Sequence, residues 1–167
     1  MKSKDEVFNV KIRKLKSLPE AKTCARIMAD SEPWITLHRS YEDSLKILND
    51  PSKEVYLAIV NNGISGFTIL QMNGAFVGYI QTVAVMSEWR NRGIGSKLIK
   101  FAEDRIFKEF PNVFMCVSSF NRKARELYRR LGYEVVGELK DFIVSGHSEI
   151  LLRKTIGPQI DYKKNKK

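Results

Sequence analysis

Residues 79–108, YIQTVAVMSEWRNRGIGSKLIKFAEDRIFK, decide the reading of this chain. Within them Val83-Ala84-Val85-Met86 has the β-branched content of a buried strand. A basic glycine turn follows, Arg90-Asn91-Arg92-Gly93-Ile94-Gly95-Ser96. Beyond it Ile94, Leu98, Ile99, Ala102 and Ile106 recur at helical spacing, so a helix leaves the turn with one apolar face. The first N–H groups of a helix have no intrahelical acceptor, and the helix dipole adds partial positive charge there. Gly93 and Gly95 let a ligand approach that backbone closely, and Arg90 and Arg92 place guanidiniums beside it. Such a turn suits a di- or polyphosphate.

Working outward, 167 residues with 43% apolar and 29% charged content predict one soluble globular domain with a real core. The domain is expected over residues 1–155, with residues 156–167 as a flexible basic tail. Lys163, Lys164, Lys166 and Lys167 against Asp161 give that tail about +3 of the formal net charge of +10. The body's remaining excess attracts polyanions, phosphate-bearing cofactors included, but no zinc-finger or RNP pattern accompanies it. Cys24 and Cys116 fall in apolar patterns without metal-ligand spacing and read as buried free thiols. With no apolar leader and no run near membrane-spanning length, the expected location is the cytoplasm.

Alternation predicts a strand over residues 8–15, and Ser17 and Ser40 cap two helices with an acidic residue three positions on. Strands follow at 55–60, 64–72 and 75–85, separated by Asn-Gly turns, then the helix from the glycine turn. A strand at 113–117, a helix after Asn121, and strands at 133–138 and 147–153 complete the order β-α-α-β-β-β-α-β-α-β-β. The helix between the central strand and the 113–117 strand makes those two parallel within an otherwise antiparallel α/β sheet.

Two phosphate motifs fail at the glycine turn. Leu98 stands where the third glycine of GxGxxG belongs, and Arg90 and Ser96 where a P-loop needs glycine and lysine. What remains is Arg-x-x-Gly-x-Gly. Downstream, Asn121-Arg122-Lys123-Ala124-Arg125-Glu126-Leu127-Tyr128-Arg129-Arg130-Leu131-Gly132-Tyr133 has an Asn cap, an apolar stripe and a C-terminal glycine. Together these resemble the acyl-CoA loop and the N-x-x-A-x-x-[L/F]-Y-x-x-x-G-[F/Y] segment of the GCN5-related N-acetyltransferases, the GNAT superfamily. The resemblance covers residues 6–154.

That resemblance implies an acetyl-CoA-dependent N-acetyltransferase with two splayed parallel strands around the cofactor arm. It implies cofactor contacts from Val83, Ala84, Val85, the Arg90, Asn91, Arg92, Gly93, Ile94, Gly95 and Ser96 loop, Asn121, Ala124 and Tyr128. Tyr128 is then the acid that protonates the leaving sulfur, and the Val85 N–H the oxyanion donor. Many family members carry a central-strand glutamate, but here Tyr79-Ile80-Gln81-Thr82 has none. A water relay to Glu32 or His38 is therefore expected, with His147 a further candidate. Trp34, Arg39 and Gln81 are the expected acceptor contacts. The implied partners are acetyl-CoA and an amine (a small amine, an amino acid, or a protein N-terminus or lysine). No membrane is involved, nucleic acid is disfavoured and a homodimer is left open. A non-catalytic acyl-CoA sensor, or a basic protein associated with RNA or ribosomes, is the alternative.

Overall fold

The computed structural model describes residues 8–160 and Tyr162. The tail lysines and Asp161 lie outside the described residues. The elements are β1 (Lys11–Lys14), α1 (Leu18–Ala29), α2 (Tyr41–Leu48), β2 (Lys53–Val60), β3 (Gly63–Gln71) and β4 (Tyr79–Val85). After a single 3-10 turn at Ser87–Trp89 come α3 (Ile94–Ile106), β5 (Asn112–Ser118), α4 (Arg122–Arg130), β6 (Glu134–Lys140) and β7 (Ser148–Thr155). This is the expected order. The strands form one sheet in the order β1-β2-β3-β4-β5-β7-β6, with β4–β5 its parallel pair.

The helix starts obey the local chemistry. The Ser17 hydroxyl accepts from the Glu20 N–H, and Ser40 with Asp43 closes a reciprocal capping box that satisfies two otherwise orphaned donors. Helices α1 and α2 cover one sheet face, with Cys24, Met28 and Leu48 against Leu57, Phe67, Ile69 and Ala84. On the other face α3 packs Ile99, Ala102 and Ile106 against Leu70, Ile80 and Met115. Alternation along β2 explains how one strand serves both layers: Val55 and Leu57 face α1, Tyr56 and Ala58 the α3 side.

The central strand begins at Tyr79, four residues later than alternation predicts. Gly74 and Gly78 hold φ of 94° and 79°, a left-handed backbone that breaks the ladder before it. The first strand is likewise shorter than expected: its pairing with β2 begins at Lys11, and Phe8 packs edge-on to Trp89. At the other end the Ile156 N–H donates to the Pro111 carbonyl, and the Tyr162 hydroxyl donates to the Phe107 carbonyl. Glu54 and Arg105 tie β2 to α3 through paired hydrogen bonds at 2.9 and 2.6 Å.

Candidate active site

The site starts where pairing stops. Strands β4 and β5 are in register only at Tyr79↔Phe114 and Ile80↔Met115, although β4 runs on to Val85 and β5 to Ser118. At the closed end the Phe114 N–H donates to the Gly78 carbonyl at 3.0 Å. A Cβ on Gly78 would lie 2.6 Å from the Asn112 oxygen, so only glycine lets the strands meet there. Beyond Ile80 they diverge and leave the edge of β4 uncovered. The Met86 N–H donates to the Ser65 carbonyl on β3. Antiparallel strands alternate the direction of their N–H groups, so those of Val83 and Val85 point the opposite way, into the gap. Donors facing unpaired space inside a sheet form a ready oxyanion site.

The glycine turn closes the outer end of this gap. Asn91 and Gly93 take left-handed φ of 61° and 78°. Gly93 is the N-cap of α3 and no side chain caps that helix start. Nothing lies within 4 Å of a Cβ built on Gly93, so the turn presents open space in front of the helix N-terminus. Arg90 donates from Nε to the Val85 carbonyl at 3.1 Å, which ties the turn to the gap. The Arg92 guanidinium lies 5.1 Å from the Trp89 ring centroid and 5.9 Å from that of Phe8. Free N–H groups, a dipole end and two cations fit a pyrophosphate.

On the inner side a cleft of about 330 Å³ opens between the strands. Val83 and Gln81 of β4, Cys116 and Ser118 of β5, and Tyr128 and Asn121 from the start and body of α4 line it. Asn121 Oδ1 accepts from the Ala124 N–H at 3.2 Å and so caps α4. The Tyr128 ring sits edge-on to that of Tyr133, with centroids 6.0 Å apart. Burial pushes the Tyr128 phenol up to about 12, so it stays protonated throughout the working range. Its hydroxyl has no hydrogen-bond partner among the described residues.

The acceptor side is formed by Pro33, Trp34, Leu37 and Arg39 from the α1–α2 connection, and by Phe142 and Ile143 from the β6–β7 loop. Tertiary structure thus brings Trp34, Arg39, Gln81, Val83, Asn121 and Tyr128 to one cleft. Glu32 and His38 are placed otherwise. Glu32 turns back to accept from the Thr36 N–H and hydroxyl at 3.3 and 3.1 Å, and His38 is exposed; neither lines the cleft. His147 packs edge-on to Phe120 at 4.9 Å. Ala84 faces the α1 core and Ala124 the α3 side.

Among the cleft residues not singled out from sequence is a buried carboxylate. Glu149 on β7 is 5% exposed, lines the cleft and accepts from the Ser118 hydroxyl at 2.6 Å. Burial raises its carboxyl above the usual range, and the Ser118 hydrogen bond partly offsets this. Burial also raises the nearby Cys116 thiol and Tyr79 phenol. The signal in sequence was an ionisable residue inside an apolar strand, Glu149-Ile150-Leu151-Leu152. Among the described residues no cluster of His, Cys, Asp and Glu could hold a metal ion, and no helix is long and apolar enough to cross a membrane.

A splayed parallel pair, an uncapped helix start and a half-buried phenol are thus grouped around the unpaired edge of β4. The model of the Acetyltransferase (GNAT) family matches residues 21–133, and the chain belongs to that family. Acetyl-CoA is the acyl donor of its enzymes. The chain is 31% identical over 94 residues to a thialysine N-epsilon-acetyltransferase of Bos taurus, covering 56% of this chain and 55% of that protein. It is 30% identical over 92 residues to an N-alpha-acetyltransferase of Sulfurisphaera tokodaii, covering 52% and 54%. The chain thus spans about half the length of these curated relatives. Among solved structures, an aminoglycoside 6'-acetyltransferase type Ii superposes with a TM-score of 0.72 at 21% identity, covering 89% of this chain and 99% of that one. An aminoglycoside 6'-N-acetyltransferase complexed with coenzyme A gives 0.68 at 16%, covering 90% and 99%. At these identities the likeness is one of fold.

Proposed function

We propose that this chain transfers an acetyl group from acetyl-CoA to a primary amine by direct attack, with Tyr128 as general acid. The observation that carries this reading is the unpaired edge of β4: its Val83 and Val85 N–H groups open on a gap between an uncapped helix start and a half-buried phenol. Bound acetyl-CoA supplies a thioester carbonyl and a thiolate leaving group. The 90–96 turn holds the pyrophosphate through backbone N–H groups, with Arg90 and Arg92 adding charge. The Val85 N–H stabilises negative charge at the carbonyl oxygen. Tyr128 keeps its proton until the sulfur departs and delivers it there, a role worth about 10²–10⁴ in rate.

The curated relatives act on amines, one on an N-epsilon and one on an N-alpha position, which supports an amine acceptor here. Free Cys24 and Cys116 suit a reducing compartment, and we place the enzyme in the cytoplasm. The test is an acetyl-CoA consumption screen over amines, amino acids and peptides that follows the appearance of free CoA. Release of CoA with some amine is expected. Tight CoA binding with no turnover on any amine would reduce the protein to an acyl-CoA sensor.

A further inference from the structure

The cleft is lined by acceptors on its strands and by a cation on its loops. The strands carry buried acceptors. Glu149 offers a carboxylate of which Oε1 is held by Ser118, while Oε2 makes no hydrogen bond to the described residues. Gln81 presents a buried Oε1 with no protein partner among those residues. The loops carry Trp34, Phe142 and Ile143, the last two 61% and 44% exposed, together with the Arg39 guanidinium. An unpartnered buried oxygen and a carboxylate lining one cleft call for a ligand with several N–H donors. A protonated primary amine has three. A cation in the same cleft disfavours a second positive charge on the same ligand and favours a negative one.

We propose that Glu149 receives the acceptor as an ammonium and takes its first proton, and that Arg39 selects acceptors whose far end is anionic or neutral over diamines and polyamines. This rests on the transferase reading and fills its missing base. The proton balance closes. Glu149 takes one proton from the ammonium, leaving a neutral amine. As the N–C bond forms and the C–S bond breaks, the sulfur gains a proton from Tyr128, and the second proton lost by the nitrogen restores the Tyr128 phenol. The first proton leaves Glu149 for solvent after product release. A carboxyl raised by burial is better matched to this task than an exposed one. The titratable groups facing it are Tyr79 of β4 and Cys116 of β5, with Tyr128 of α4 and Arg39 of the α1–α2 connection in the same cleft. The nearby phenols and thiol are raised by burial as well.

The probes are δ-aminovalerate, pentylamine and cadaverine, alike in length and different at the far end. Their binding to the full chain, alone and saturated with CoA, is followed by NMR. The expected order is δ-aminovalerate, then pentylamine, then cadaverine, with about tenfold between first and last. Glu149→Gln should weaken all three by at least about tenfold, while CoA affinity measured by calorimetry stays unchanged. Arg39→Glu should reverse the order. With any probe that turns over, Glu149→Gln should lower kcat by about 10² or more, and Ser118→Ala should move the acid limb of kcat/KM to higher pH. Equal binding of cadaverine and δ-aminovalerate would overturn the role of Arg39. Undiminished amine binding by Glu149→Gln, or no binding of any probe by the wild-type protein, would overturn that of Glu149. Loss of CoA binding alone would sink the transferase reading, and the amine titrations into free protein would still decide this one.

Discussion

Replacing Tyr128 by Phe separates chemistry from packing in a way this structure makes quantitative. The ring contributes to the α3-side core and meets Tyr133 edge-on with centroids 6.0 Å apart, and Phe keeps all of that. The hydroxyl has no hydrogen-bond partner among the described residues, so its loss leaves no buried group stranded. Stability by urea denaturation should therefore change by less than about 1 kcal/mol. The rate should respond very differently. Loss of a general acid costs about 10²–10⁴, equivalent to about 2.7–5.4 kcal/mol of transition-state stabilisation at roughly 1.36 kcal/mol per decade. The loss should fall on kcat, with the KM for acetyl-CoA nearly unchanged, because the 90–96 turn proposed to hold the pyrophosphate is untouched. Burial places the wild-type phenol at about 12, so no limb of the pH–rate profile below about pH 10 should vanish with it. The assay is CoA release on an identified amine across that pH range. A variant that turns over within about twofold of wild type would remove Tyr128 from the chemistry. A loss of several kcal/mol in stability would instead make it a structural residue.

Further outcomes follow from other sites. Gly93→Val forces a branched side chain onto a φ of 78°, directly in front of the open helix start. Calorimetry should show CoA affinity falling by at least about tenfold while the fold survives with about 1–2 kcal/mol of strain. Gly66→Ala would put a Cβ 2.5 Å from the Ala84 oxygen and 3.3 Å from Leu98 Cδ1, so β3 and β4 would have to move apart beneath α3. A loss of roughly 2 kcal/mol or more is expected in a thermal melt, and a neutral result would mean the sheet yields there. Glu149→Gln tests the buried carboxyl by its effect on stability. Its folded-state value is raised, so wild-type stability is fully present below the unfolded carboxyl value and falls as pH rises through the folded one. The variant has no such dependence. The two should converge near pH 4, and the variant should be the more stable near pH 8; an unchanged difference between those conditions would show that folding does not raise the Glu149 carboxyl.

Much of the fold was legible because its signals are local. Ser17 and Ser40 cap their helices through atoms within three residues, and the apolar stripe from Ile94 to Ile106 needs only helical periodicity. The turn proposed to bind the anion is likewise a strand end, glycines and a helix start contiguous in the chain, so its backbone at residues 90–96 could be read directly. The Asn121 cap and the place of Tyr128 on the helix it starts were legible for the same reason. Tertiary structure decided everything that depends on strands meeting out of order. Only the truncated β4–β5 register shows a gap, and only the alternation of β4 against β3 turns the Val83 and Val85 N–H groups into it. Placing β7 between β5 and β6 sets Glu149 opposite Ser118, 31 residues away in the chain. No short-range pattern encodes that contact. Glu32 and His38, attractive in sequence as ionisable residues beside a tryptophan, stay outside the cleft because a single turn brings Glu32 back onto Thr36 and leaves His38 in solvent. Backbone hydrogen bonding a few residues long can be read along the chain; the environment that makes a carboxylate basic is assembled from strands distant in sequence.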